Sequence, residues 1–231
     1  PPCIDIRGWI FDDNSGYHGG TSGTGVASGA IRFSQNALWS CVPLGSIILI
    51  YNNTDRNPAI PPDDLTMADN NCTIIAPVNS PGLFETNATT PGAVACSYPA
   101  SGWTAVGSWS TTLLANGGDC ARVVNLSGCE VFSVCYGTAN TNNQIYFAGA
   151  AGQKVFYFNG TNPANQANWT SGSAASTPGA QTPGAPNNAA NAAYIGQFNN
   201  NCMPITPIAM STPTTANAGC TCNGSATVTA S

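Results

Sequence analysis

An all-β fold held together by disulfides is what the sequence predicts, on three observations. Short runs rich in β-branched and aromatic residues recur along the chain, each bounded by Gly, Pro, Asn or Asp. Sustained helical periodicity is absent outside one alanine-rich stretch near the end. Ten cysteines in 231 residues are too many for a reducing compartment unless they bind metal. Metal does not fit, because no Cys-x-x-Cys pair occurs and His18 is the only histidine. The cysteines therefore read as disulfides of an extracellular protein.

Taken in order, the run from Ile4 through Trp9 to Asp12 reads as the opening strand, closed by the turn Asp12-Asp13-Asn14-Ser15-Gly16. A glycine-rich loop follows, then a short strand at Ala30-Ile-Arg-Phe33. Residues 46–51 form a continuous apolar run, which predicts a strand buried on both faces. Residues 52–107 hold Asn-Pro, Pro-Pro-Asp-Asp and Ser-Pro-Gly, with strand character only at Cys72-Thr-Ile-Ile-Ala76 and Val94-Ala-Cys96. A structureless loop of that length does not belong in a compact domain, so Cys72 and Cys96 are expected to tie it down.

The centre of the chain is a β-hairpin. Asn125-Leu-Ser-Gly128 supplies turn residues, and β-branched and aromatic positions flank it on both sides. Before it, Asn116-Gly-Gly-Asp119 needs glycine's freedom at positive φ to bend into the first strand, with Asp119 capping that bend through backbone N–H groups. A second hairpin is predicted from residues 144–148 and 154–159, on either side of Gly149-Ala-Ala-Gly152. Residues 171–193 read as an extended tail over the domain, and 188–198 as a short helix, since Ala is the best helix former. Pro204-Ile-Thr-Pro207 reads as a linker.

Composition excludes several functions. Charged residues make up 6% of the chain, against roughly 25% in ordinary soluble domains. Five basic residues cannot supply the phosphate contacts of nucleic-acid binding. A net charge of −5 gives no attraction to an anionic membrane, and no apolar run is long enough to span a bilayer.

Catalysis lacks its usual groups. His18 sits in the glycine-rich loop without a patterned Ser or Asp partner, and no Gly-x-Ser-x-Gly elbow occurs. Asp12-Asp13 and Asp63-Asp64 could offer oxygens to calcium, but neither matches a calcium-loop spacing, so they read as solvated turn carboxylates. No cofactor is implied. The Asn-x-Ser/Thr sites at Asn52, Asn71, Asn87, Asn125, Asn159, Asn168 and Asn223 follow from an Asn- and Thr-rich composition. Among the aromatics, Tyr157 and Trp169 are the candidates for a ligand-facing surface, since Tyr157 lies on the opposite strand face from Phe156 and Phe158.

The wording of the central hairpin, from Leu113-Leu114-Ala-Asn-Gly-Gly-Asp119 through Gly128 to Tyr136, resembles the lamin-tail domain, a small immunoglobulin-like sandwich. Three more stretches fall in that family's order: residues 4–12, Pro43-Leu-Gly45 leading to Tyr51, and Thr182-Pro183-Gly184-Ala185-Pro186-Asn187. The likeness covers about residues 3–190 and implies an immunoglobulin-like β-sandwich. Two features depart from it. The segment between Tyr51 and Leu113 is longer than the family carries, and Ser133 or its neighbour replaces an Asp of the second hairpin strand.

Further on, Cys222-Asn-Gly224-Ser-Ala-Thr-Val-Thr229 is similar to the opening of a gliding-adhesin repeat of the SprB type. The two resemblances together imply a sandwich domain over residues 1–203, a linker over 204–219 and the first strand of a second β domain over 220–231. The opening Pro1-Pro2-Cys3, with no signal peptide before it, reads as an excerpt of a longer chain. The implied function is non-enzymatic. It is a structural or adhesive module of a bacterial cell-surface protein, exported by type IX secretion and used in attachment, gliding or appendage assembly. Its expected partners are copies of itself or neighbouring domains. The alternative is a glycan-binding accessory module of a secreted enzyme such as a nuclease.

Most of Cys3, Cys41, Cys72, Cys96, Cys120, Cys129, Cys135 and Cys202 are expected to pair with one another. Cys129 with Cys135 is excluded, because six residues of strand separate their Cα atoms by about 20 Å, beyond the ~7 Å a bridge tolerates. Cys120 with Cys135, across the hairpin, is the preferred pair.

Overall fold

The computed structural model describes residues 3–13, 28–91, 98–112, 114–137, 144–149, 154–173 and 182–198, together with the backbone of 214–215 and 226–227. Its centre is the predicted hairpin, β8 (Asp119–Val124) and β9 (Glu130–Tyr136). Asn125 builds the turn: its Oδ1 accepts from the N–H groups of Ser127 and Cys129, and Gly128 sits at φ 77°. Around it forms a six-stranded sheet with β2 (Ile10–Asp12), β3 (Ala30–Phe33), β7 (Phe84–Asn87) and β10 (Tyr146–Phe147), in the order β10-β9-β8-β2-β3-β7.

Register decides which side chains share a face, since residues directly opposite point the same way. Phe11 pairs with Ile31 and with Val123, Val123 pairs with Phe132, and Phe33 pairs with Phe84. These side chains form one face, and the main core lies on it. There β5 (Ile47–Tyr51) and β6 (Thr73–Pro77) run parallel as a second layer, setting Ile74 and Ala76 against Ile31, Phe33 and Phe84. Trp39 is fully buried at their junction, with its indole N–H donating to the carbonyl of Leu83 at 2.8 Å.

A second antiparallel pair, β11 (Lys154–Phe158) and β12 (Trp169–Ser173), covers the same face farther along. Phe156 stacks on Tyr136, and Trp169 stacks on Phe132, with centroids 5.3 and 5.6 Å apart. The opposite face carries a smaller cluster of Ile10, Ala30 and Val124 under Tyr98 and Trp103. The chain also holds the short pair β1 (Cys3–Ile4) and β4 (Val42–Pro43), and helix α1 (Ala189–Gly196), whose Asn188 cap accepts from the N–H of Asn191. Thr214–Thr215, within the stretch read as a linker, pairs antiparallel with Ala226–Thr227. The fold is all-β with one short helix, and no helix among the described residues is long and apolar enough to cross a membrane.

Several expectations need correction. The segment 52–107, expected to hold strands only at 72–76 and 94–96, forms β7 as well as the expected β6, and Ile74, Val78 and Phe84 are fully buried. The strand at 84–87 was missed because Phe-Glu-Thr-Asn carries a single apolar residue, buried by pairing with β3. Residues 144–159 form no hairpin. β10 adds parallel to β9 while β11 pairs with β12, so the Phe147 and Phe156 rings meet across layers at 4.6 Å and not along one ladder. The apolar run 47–50 is half-buried, and among the described residues β5 pairs with a strand on one side only. Val94-Ala-Cys96 lies outside the described residues.

Candidate functional site

Two bridges join described cysteines, Cys3 with Cys41 and Cys120 with Cys135, the latter across the hairpin with Cα atoms 4.0 Å apart. Cys72 is also disulfide-bonded. Cys129 is exposed at the hairpin turn and belongs to neither of those two bridges, while Cys96 and Cys202 lie outside the described residues. The disulfides fit an oxidising environment, extracellular or periplasmic.

Asp12 and Asp13 correct the reading of solvated turn carboxylates. They are 0% and 2% exposed, and Asp12 shares the face of Ile10, over which Tyr98 and Trp103 pack. The Tyr98 hydroxyl donates to Asp12. Burial pushes the Asp12 carboxyl up to about 7, opposed by the Tyr98 bond and reinforced by the charge of Asp13. Asp119 accepts from the N–H groups of Ala115 and Cys120 at 2.8 and 3.0 Å, capping the bend. Burial raises it to about 6 despite those bonds. Asp63 is exposed and engages Arg56 and the Tyr51 hydroxyl. Among the described residues no group of three or more His, Cys, Asp or Glu could hold a metal ion. His18 lies outside them.

The two aromatics expected to face a ligand are not brought together. Trp169 stacks between Phe132 and Phe158 and donates its indole N–H to the carbonyl of Pro163, so it is packing. Tyr157 points to the other face of β11 and lines a cavity of about 260 Å³ with Asn57, Thr182, Asn187 and Leu49.

The larger cavity, about 440 Å³, lies between the layers. Trp9, Phe11 and Val123 form its floor on the six-stranded sheet, Ile48 and Ile50 form one wall, and Trp109 another. No charged side chain lines it among the described residues. The wall is the outer edge of β5. Ile47 N–H bonds the Cys72 carbonyl and the Tyr51 carbonyl accepts from Val78 N–H, so residues 47, 49 and 51 bond β6 while Ile48 and Ile50 turn their backbone groups outward. Residues 46–51 pointed to a strand, but the reading of a doubly buried one hid this edge. The signal available in the sequence was an uncharged five-residue apolar run without a Lys or Pro to guard it. The chain matches no protein-family model, no curated protein and no solved structure.

Proposed function

We propose that this chain is a non-enzymatic structural or adhesive module of a secreted bacterial surface protein, an immunoglobulin-like, lamin-tail-type sandwich that works by associating with copies of itself. The observation that carries the reading is the outer edge of β5, an apolar strand edge that no described strand pairs with, on a chain with 6% charged residues. Native monomers blunt such edges with charges, prolines or covering elements. Charges also keep proteins apart by mutual repulsion, and few are present here. Amide- and hydroxyl-rich surfaces pack against one another with little charge desolvation to offset. The gliding-adhesin resemblance of residues 222–229 supports placement on the cell surface, in attachment or appendage assembly. The test is the mass of the disulfide-intact protein in solution across a concentration series. Species larger than one chain are expected, and a strictly monomeric protein at high concentration would refute the reading.

A second reading draws on the smaller cavity. There the Tyr157 ring stands beside the amides of Asn57 and Asn187 and the hydroxyl of Thr182, a combination suited to a sugar ring. On this reading the chain is a glycan-binding accessory module. Glycan-array binding lost on Tyr157→Ala would favour it, and no glycan retained above background would eliminate it.

A further inference from the structure

We infer that the second layer of the sandwich is one strand short, and that a strand donated by a second copy of this chain fills the gap between β5 and β11. The inference rests on the self-association proposed above and names the contact that would make it.

Strands cover the main face of the six-stranded sheet in two separate places, with Trp109 stacked on Phe11 between them at 6.1 Å. β5 and β6 cover the end around β3 and β7, through Ile74 and Ala76 on Phe33 and Phe84. β11 and β12 cover the end around β9 and β10, through Phe156 on Tyr136 and Phe147. Between these ends lie β2 and β8, whose Phe11 and Val123 form the floor of the 440 Å³ cavity. Protein interiors rarely leave voids larger than a water molecule, because the lining loses its packing partners.

The opening is bordered by the edge of β5 and by Trp109, and Leu49 joins it to the outer cavity that β11 lines. On one side Ile48 and Ile50 present N–H and C=O groups that no described residue bonds. The other edge of β6 is already taken, since Asp64 and Ile75 exchange both backbone bonds. On the other side the Asn159 N–H bonds the Asn168 carbonyl, so β11 turns residues 157 and 155 toward β12 and Phe156 toward the opening. Leu49 and Phe156 line the same outer cavity, together with Ile60, Pro183 and Asn187, whose Nδ2 donates to the outward Phe158 carbonyl at 3.4 Å, so the backbone groups left open on β11 are those of Phe156.

A small apolar molecule would fill the floor but leave the backbone groups of Ile48 and Ile50 unmet, and the inner cavity is lined by no charged side chain. An added β-strand meets both needs, with main-chain bonds to the edges and alternate side chains in the cavity. Charge selects the donor. A charged strand would carry an unpaired charge into an apolar site, whereas most segments of this chain carry none, with 15 charged residues among 231 counted as five basic and ten acidic. At this edge β5 carries no charge and β11 carries one, Lys154 at its start.

The test uses the disulfide-intact, full chain. Ile48→Pro removes an outward N–H while residues 47, 49 and 51 keep their bonds to β6, and Leu49→Lys places an ammonium at the opening. Sedimentation velocity over a hundredfold concentration range should show wild-type mass rising to at least twofold that of one chain. Both variants should stay monomeric at every concentration with near-ultraviolet circular dichroism unchanged. In the wild type, hydrogen exchange at the Ile48, Ile50 and Phe156 amides should slow at least tenfold from dilute to concentrated protein. Folded variants that assemble like the wild type would overturn the inference while leaving self-association standing. A wild type monomeric throughout would overturn both. Amides equally protected at every dilution would show the gap filled from within one chain, and would also overturn it. Should the proline variant fail to fold, the lysine variant and wild-type exchange decide.

Discussion

At the scale of the residue, Asp12 shows how burial converts an ordinary carboxylate into a pH-dependent element. It ends β2 under Tyr98, beside Asp13, and opposite Arg122, which pairs with Glu130 at 2.9 Å. With folded values of about 7 for Asp12 and about 6 for Asp119, against roughly 4 in the unfolded chain, the folded protein binds more protons between those limits. Stability from these groups is therefore fully present below about pH 4 and lost as pH rises through 6 to 7. Asp12→Asn keeps an oxygen acceptor for Tyr98 and removes the titration. Its Tm should match the wild type near pH 4 and exceed it at pH 8 by several degrees, on the order of 2–4 °C per kcal/mol for a chain of this size. Parallel Tm curves for the two proteins would count against this account. Gly107 makes a steric case: a Cβ there would run into the backbone carbonyl of Val78 and sit 2.9 Å from the Phe84 Cβ, both residues being fully buried. Gly107→Ala should cost about 1–3 kcal/mol, read as a lower urea midpoint with an unchanged m-value.

At the scale of the element, local signals were legible and non-local pairings were not. The turn at Asn125–Gly128, the bend before Asp119, the bridge across β8 and β9 and the helix after Asn188 were all readable, because each is decided within one short stretch of chain, the longest spanning the 15 residues of the hairpin. The partner of Lys154–Phe158 was not, because aromatic alternation allows either Tyr146–Phe147 or Trp169–Ser173 to lie alongside it. Strand β7 was invisible for a related reason: Glu85 belongs in a strand only because Arg32, on the neighbouring strand, meets it at 2.6 Å. Of the candidate site, residues 47–51 were found as a strand, but its open edge depends on what lies beside it, which no periodicity reports. The hairpin bridge gives this scale its prediction. Cys120 and Cys135 close a 15-residue separation and are fully buried, so replacing both by Ala should cost about 3 kcal/mol in the chain-entropy account. Calorimetry of the double variant should show Tm lower by about 6–12 °C. An unchanged Tm would mean the hairpin is held by its ladder and the bridge is incidental.

At the scale of the whole molecule, the scarcity of charge makes a prediction about salt. Contacts steered by ion pairs weaken as ionic strength rises, since the screening length falls from about 10 Å at 0.1 M to about 3 Å at 1 M. Described ion pairs here are internal, Arg32 with Glu85, Arg122 with Glu130, Arg7 with Asp5 and Arg56 with Asp63. The proposed contact at β5 involves apolar side chains and backbone groups, on which salt acts through solvent exclusion and not through screening. Association should thus be unchanged between 0.1 and 1 M sodium chloride and stronger in sulfate, which is excluded from protein surfaces and favours apolar burial. The measurement is the dissociation constant from sedimentation equilibrium at each salt. A constant that weakens tenfold or more in sodium chloride would assign the association to charged patches elsewhere on the molecule. A constant that tightens in sulfate and holds in chloride fits burial of the apolar edge of β5, where the backbone groups of Ile48 and Ile50 meet no partner among the described residues.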